Sequence, residues 1–488
     1  MQLKKWLLVG ILGIGLTGMG ISYYQGTRAN QRSIPRHVMM GRQSSTQPAA
    51  APTTIKTPAR PLAVPPLLKP TQQTQRRVAY TVIARTGTMA FRAGQTTKTL
   101  GYNGNYLGPV LQVNRGQILA ITTKNTLTQA ISFHWHGAIL PGKADGGPHE
   151  TVAAGATKKV AFKVQQPAAT LWFHPHAMGS TAKQVYQGLA GLIYVRDQAS
   201  QRLHLPQTYG VNDFPVIIQD RQFTKQHQFD YDKAYQTDGT LGSTLLVNGT
   251  LNPYLKVTTK LVRLRLVNGS NARNYQLTLS NHQAMQQIAD DGGLLSRPVA
   301  VQRLRLSPGE RAEVVIDTAK LTQPVTVMNG QQAVLQLRPT ATRRQLGQLP
   351  TKLVSLPAAR TPKLAQKRTL TFSSMGHMVT INRQTFDPDR IDLTAQRNRP
   401  QIWTLKNLSG MMGGMSHPFH LHGVQFRILS VNGTRPAANE RGWKDTVALP
   451  PDGVVKITFK FKNRGIYMYH CHNLEHEEQG MMGQIKVS

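Results

Sequence analysis

From about residue 76 to the C-terminus, apolar residues come in short runs of Val, Ile, Leu and Thr, cut by Gly, Asn and Pro. A period of two places alternate side chains on opposite faces of a strand, and many short strands between turn residues predict β-sandwiches. One arrangement appears three times. LGPVLQVNRGQILAITTKNTL, residues 107–127, leads into SFHWHG; NPYLKVTTKLVRLRLVNGS, 252–270, leads into NARNYQLTLSNHQ; DLTAQRNRPQIWTLKNLSG, 392–410, leads through MMGGMS into HPFHLHG. A second arrangement follows each. AGATKKVAFKVQQPAATLWFHPH ends at His176, PPDGVVKITFKFKNRGIYMYHCH ends at His472, and the middle copy SPGERAEVVIDTA, 307–319, reaches no histidine pair. The expectation is an all-β chain of three consecutive β-sandwiches over 76–200, 208–345 and 365–488. Histidines in the first and third copies alone place the chemistry between those two domains.

The pattern differs at the N-terminus. Lys4 and Lys5 precede an apolar run from Trp6 to about Ile21, so residues 1–22 read as an export signal or, if retained, a membrane anchor through 4–22. Residues 23–75 are rich in Gln, Thr, Ala, Pro and Arg with little apolar periodicity, which predicts a flexible spacer. An exported protein, extracellular or on the cell surface, is expected.

Composition narrows the function. Hydrophobic residues make up 40 % of the 488, too many for a disordered polyelectrolyte. The single cysteine, Cys471, excludes an intramolecular disulfide. Against 22 Asp+Glu stand 58 Lys+Arg, a net charge of +36, and no acidic residue precedes Asp145. No nucleic-acid module accompanies that charge, so attraction to anionic polymers of a cell envelope is the expected partner chemistry rather than nucleic acid.

Ten of the 16 histidines fall in four clusters. They are His134-Trp135-His136, His174-Pro175-His176, His417 with His420 and His422, and His470-Cys471-His472 followed by His476. On a strand, residues i and i+2 share a face roughly 6.5–7 Å apart. Each His-x-His pair thus suits two neighbouring ions better than one, and four converging pairs would hold a cluster of about three ions. Cys471 must point away from His470 and His472, so a metal on its sulfur lies on the other side. Two imidazoles, that thiolate and a weak thioether, from His417, His476, Cys471 and Met481, are the donor set of a blue-copper site; zinc has no need of the thioether.

With these motifs, residues 76–488 resemble the three-domain bacterial multicopper oxidases, the group of bacterial laccases and periplasmic copper-efflux oxidases. The resemblance implies three cupredoxin-like Greek-key domains and four copper ions. A type 1 copper would take His417, Cys471, His476 and Met481; a type 2 copper His134 and His420; one type 3 copper His136, His174 and His472, and its partner His176, His422 and His470. Electrons from a reductant would pass through Cys471 to His470 and His472 and reduce O2 to water. Asp145 and Glu477 match family carboxylates that serve the proton supply. Phe419, Leu421 and Leu474, interleaved with the ligands, are expected as core residues that also keep a copper dry.

The donor is less determined. Met375, His377 and Met378, and Met411, Met412 and Met415, are soft ligands of the kind that suit Cu+. Met415 matches a substrate-copper methionine of the efflux oxidases, but Gly413 replaces the companion aspartate and the long methionine-rich insertion is absent. Phenols and aromatic amines reaching the type 1 edge near His476, as in laccases, are therefore the expected substrates, with Cu+ as the alternative. A different class of reading is a non-enzymatic scaffold, since a copper-free relative of the same three domains supports cell division; here no ligand is replaced. Two-domain nitrite reductases are opposed by the three repeats.

Overall fold

Alternation is realised most cleanly in the long strand Arg77–Arg92, where Val78, Tyr80, Val82 and Ala84 are buried while their neighbours are partly exposed. The computed structural model describes residues 58–375, 378–409 and 414–488. The expected export signal, the spacer as far as residue 57, His377, Met411, Met412 and Gly413 lie outside the described residues.

Three two-sheet sandwiches follow one another, and each repeats the same pairings. A first strand lies parallel to a second, and the second is antiparallel to a third. These are Arg77–Arg92, Ile118–Asn125 and Thr157–Lys163 in the first sandwich. They are Asp213–Arg221, Leu261–Asn268 and Arg311–Asp317 in the second, and Gln366–Met375, Gln401–Ser409 and Val454–Phe459 in the third. The opposite sheet carries a corresponding parallel pair each time: Val110–Asn114 with Gly191–Arg196, Pro253–Thr259 with Gln332–Arg344, and Leu393–Ala395 with Met482–Val487. Both repeated sequence arrangements therefore mark the same strands in each copy. Parallel neighbours joined by long crossovers are what a Greek-key sandwich requires, and each sandwich encloses its own apolar core.

Residues 58–75 depart from the expected spacer. Arg60–Pro61 pairs in parallel with Pro253–Tyr254 of the middle sandwich, Leu62 is buried, and Gln72–Gln73 extends the first sandwich by pairing with Val78–Ala79. These contacts are largely backbone hydrogen bonds, such as Leu62 N–H to the Tyr254 carbonyl at 2.8 Å. They do not depend on apolar periodicity, which is why a composition that predicts flexibility missed them.

The loop between residues 140 and 145 positions the site. Gly142 N–H donates to the Arg464 carbonyl (3.1 Å) and Tyr467 Oη–H to the Leu140 carbonyl (2.9 Å), so this loop of the first sandwich is pinned on the third.

Candidate metal centres

The four histidine motifs converge at the junction of the first and third sandwiches, all ten imidazoles at 1 % exposure or less. They lie at strand ends more than within strands. His134 and His174 face each other across an isolated bridge, His417–Leu421 is a strand that His422 follows, and Gly465–Cys471 is a strand that His472 follows. The pairs nonetheless share a face, with ring centroids 5.7 Å apart for His134 and His136, 6.2 Å for His174 and His176, and 5.6 Å for His470 and His472.

Which nitrogen carries the proton follows from the partners. His134 Nδ1–H donates to the Asp145 carbonyl (3.1 Å) and His420 Nδ1–H to the Asp445 carbonyl (2.9 Å). His174 Nδ1–H donates to the Pro175 carbonyl (2.8 Å) and His470 Nδ1–H to the Cys471 carbonyl (3.0 Å). Two more donate to carboxylates: His422 Nδ1–H to Asp145 Oδ2 (2.6 Å) and His136 Nε2–H to Asp445 Oδ1 (3.0 Å). Because a carbonyl or carboxylate can only accept, each of these rings keeps its other nitrogen bare and turned inward.

Bare nitrogens then meet one another. His134 Nε2 lies 3.4 Å from His420 Nε2, His136 Nδ1 lies 3.3 Å from His174 Nε2, and His422 Nε2 lies 3.0 Å from His470 Nε2. His470 Nε2 is also 3.1 Å from His176 Nε2, and neither nitrogen of His472 has a partner. Lone pairs facing each other in a dry pocket repel unless a proton or a cation sits between them. Protons are disfavoured: burial, aided by neighbouring imidazoles, holds His134, His136, His176, His420, His422 and His472 well below the usual range. Burial brings His174 down to about 3 and His470 to about 4. Three groups of ligand atoms lie within 4.8 Å of one another here: His134, His136 and His420; His136, His174 and His472; and His176, His422 and His470. A fourth, His134, His422 and Asp145, meets on the outer nitrogens, which already donate.

A separate group forms on the far side of Cys471. Its Sγ lies 3.6 Å from Nδ1 of both His417 and His476, and those two nitrogens are 3.2 Å apart. Burial pushes the Cys471 thiol well above its usual range and His417 down to about 4, so a bound cation is what would make the sulfur a thiolate. Met481, fully buried, closes the loop that carries His476: its N–H donates to the His476 carbonyl (2.8 Å), and its carbonyl accepts from Cys471 N–H (3.0 Å). Phe419, Leu421 and Leu474 are each at 0 % exposure around these groups. So is His476, contrary to the expected open edge.

Both expected carboxylates reach the histidines. Asp145 caps the short turn Gly142–Ala144 and touches His422 and His134 as described. Glu477, on the helix Leu474–Glu478, places Oε2 3.2 Å from His470 Nδ1 and Oε1 3.6 Å from His176 Nε2. Burial raises both carboxyls well above the usual carboxylate range.

Sequence reasoning missed a third carboxylate and its partner. Asp445, at 0 % exposure, accepts from His136 Nε2–H and is clasped by both Nη atoms of Arg311, at 2.6 and 2.7 Å. Arg311 belongs to the middle sandwich, which supplies no histidine to the groups; its Nε also donates to the Thr170 carbonyl of the first (3.1 Å). One guanidinium therefore ties all three domains behind His136. Gly137 accommodates it: with φ at +84°, a Cβ there would lie 2.6 Å from both Arg311 Nη2 and Asp445 Oδ2. Asp445 stands 23 residues beyond His422, and only the pairing of His420 with Thr446 brings it back.

The donors fit copper. Ten buried neutral imidazoles and one cysteine sulfur beside a methionine are borderline-to-soft ligands, and the outward N–H groups are already held by acceptors, as in metal sites generally. Comparison with known proteins agrees. Family models described as multicopper oxidase match residues 84–200, 207–342 and 359–488. The chain is 44 % identical over 410 residues to multicopper oxidase mco of Staphylococcus epidermidis, covering 84 % of this chain and 88 % of that protein. The crystal structure of a laccase from Pediococcus acidilactici superposes with a TM-score of 0.86 at 40 % identity, covering 89 % of this chain and 95 % of that one. Cell division protein FtsP of Escherichia coli is 35 % identical over 456 residues, covering 88 % of this chain and 93 % of that protein. With three sandwiches, copper-ready donor groups and these likenesses, the chain belongs to the multicopper oxidase family and is a copper-dependent oxidoreductase with four copper ions.

Proposed function

We propose that the chain acts as a laccase-like oxidase, taking single electrons from small phenols and aromatic amines and using four of them, with four protons, to turn O2 into two waters. The type 1 ligands in this reading are His417, Cys471, His476 and Met481. The trinuclear ligands are His134 and His420; His136, His174 and His472; and His176, His422 and His470. Copper in these positions supplies one-electron redox chemistry at the first site and O2 reduction at the second. The observation that carries the reading is the three pairs of bare imidazole nitrogens facing one another at 3.0–3.4 Å, which neither protons nor hydrogen bonds satisfy.

The chain's own residues do the rest. Cys471 joins the two groups through the bonds to His470 and His472, so the groups share a covalent path only a few bonds long. Asp145 holds the His422 and His134 rings through Nδ1, and Glu477 lies against His470 and His176. With its affinity for a proton raised by burial, each carboxylate can take up and pass on a proton at an Oδ or Oε atom beside the trinuclear ligands. Apolar packing by Phe419, Leu421 and Leu474 excludes bulk water. The full set of ten histidines and Cys471 supports an oxidase over a cell-division scaffold of the same fold. Export, and attraction of the +36 chain to anionic envelope polymers, complete the proposal.

A second reading, oxidation of Cu+, is favoured by one observation: His417 and His476 are at 1 % and 0 % exposure, which suits an ion better than a ring. Anaerobic stopped-flow reduction with Cu+ and with a panel of phenols and aromatic amines tests both. Laccase-like activity requires that at least one aromatic donor bleach the type 1 colour as fast as Cu+ does; bleaching by Cu+ alone refutes it.

A further inference from the structure

Where all three sandwiches meet lies a cavity of about 860 Å3. It is roofed by the connection 353–362, which leaves the middle sandwich where Leu353 N–H donates to the Ser296 carbonyl (2.9 Å). Ile139, Leu294, Val424, Trp443 and Phe459 give it an apolar wall. The volume suits a small organic molecule. None of the ten clustered histidines lines it; Gln166 and Gln425, which do, both donate to the Gly137 carbonyl, at 3.1 and 3.3 Å. None of His417, Cys471, His476 and Met481 lines it either, so it is not the electron-donor site.

Charge defines what would bind. Arg115, Arg360, Arg427, Lys460 and Lys462 line the cavity, and none of the five takes part in an ion pair among the described residues. The one lining carboxylate, Asp197, is already engaged: Oδ1 accepts from Ser200 N–H (2.7 Å) and Oδ2 from Ala168 N–H (3.0 Å). Arg427 is the decisive residue. It is 7 % exposed, its Nη1 donates to the Pro357 carbonyl of the roof (2.9 Å), and its buried Nε has no partner. Its guanidinium carbon stands 5.4 Å from the centre of the Trp443 ring. A buried guanidinium short of acceptors is unfavourable unless an anion completes it. Burial, with Arg115 and Lys460 nearby, also pulls the Lys462 ammonium below its usual range.

We infer that this cavity is a binding site for a small amphiphilic anion, a carboxylate or sulfonate on an aromatic or short aliphatic body. Its charge is met by Arg427 and the rim lysines, and its apolar part lies against Trp443 and Phe459. The inference is independent of how copper is bound.

The test uses the copper-loaded full chain and the probe 8-anilinonaphthalene-1-sulfonate, read by fluorescence and by calorimetry for stoichiometry. N-phenyl-1-naphthylamine, the uncharged analogue, is the control. One tight site per chain is expected, with the neutral probe about tenfold weaker or more. Arg427→Met should weaken the anion about tenfold, and Lys462→Met, an exposed position that leaves folding intact, roughly two- to threefold. Lys320→Met, the same charge change on an exposed surface of the middle sandwich, should leave binding unchanged. Equal binding of the two probes overturns the inference. So does an effect of Lys320→Met equal to that of Lys462→Met, which would mean general attraction to a basic protein.

Discussion

Replacing Arg311 by Met takes away a guanidinium that is 1 % exposed and leaves the Asp445 carboxylate, at 0 % exposure, without its two shortest contacts, 2.6 and 2.7 Å. Removing one member of a buried pair costs about 3–5 kcal/mol, because the remaining charge stays uncompensated. Asp445 also orients His136, which two of the three inward-facing histidine groups share. Loss of such an outer partner lowers metal affinity about 10–100-fold. The type 1 group contains neither residue. Arg311→Met should therefore retain the blue colour while copper of the trinuclear site is withdrawn by a chelator at a concentration about 10–100-fold lower than for the parent. Urea unfolding of the copper-free protein should show the accompanying loss of stability. Adding Asp445→Asn should recover part of it, since both charges are then gone. If Arg311→Met loses its type 1 copper as readily as its trinuclear copper, or loses neither, the proposed positioning of His136 through Asp445 is wrong.

Other outcomes follow from the same geometry. Cys471→Ser should lose the blue colour and turnover together while the trinuclear histidines still take up copper; normal phenol oxidation by that variant would contradict the shared covalent path. Asp145→Asn keeps an acceptor for His422 Nδ1–H but no ionisable proton, so type 1 reduction should proceed at the parent rate and oxygen uptake should slow; unchanged uptake would remove Asp145 from the proton supply. Glu313 offers a pH test of the contact between the first two sandwiches. Burial alone would raise it, but Arg263 and Arg265 outweigh burial and hold it down at about 2. Its folded pKa lies below its unfolded one, so its contribution is present in full above about pH 4.5 and is lost as pH falls through about 2. Glu313→Gln should flatten the acid limb of a thermal-stability profile, a difference on the order of 3 kcal/mol; an unchanged acid limb would exclude that role.

The convergence of the histidine motifs was legible because each is a local pattern whose meaning is chemical. Paired imidazoles at i and i+2 share a face wherever the chain is extended, even though His134, His136, His174 and His176 lie outside regular strands. The threefold strand pattern was legible for the same reason, since alternation records which face is buried. Arg311 and Asp445 were not legible. Their meeting depends on sheet register and on how the middle sandwich packs between the others, and neither leaves a mark in local spacing. Burial of His476 is likewise a property of what lies over it. The ordered course of 58–75 rests on backbone pairing at Arg60–Pro61 and Gln72–Gln73, which composition does not encode.

The central claim is that one thiolate-centred group and one imidazole cluster together hold four metal ions. Elemental analysis of the reconstituted and desalted protein tests it most directly. Four copper ions per chain is the predicted result. A ratio of two or fewer under saturating copper would contradict it.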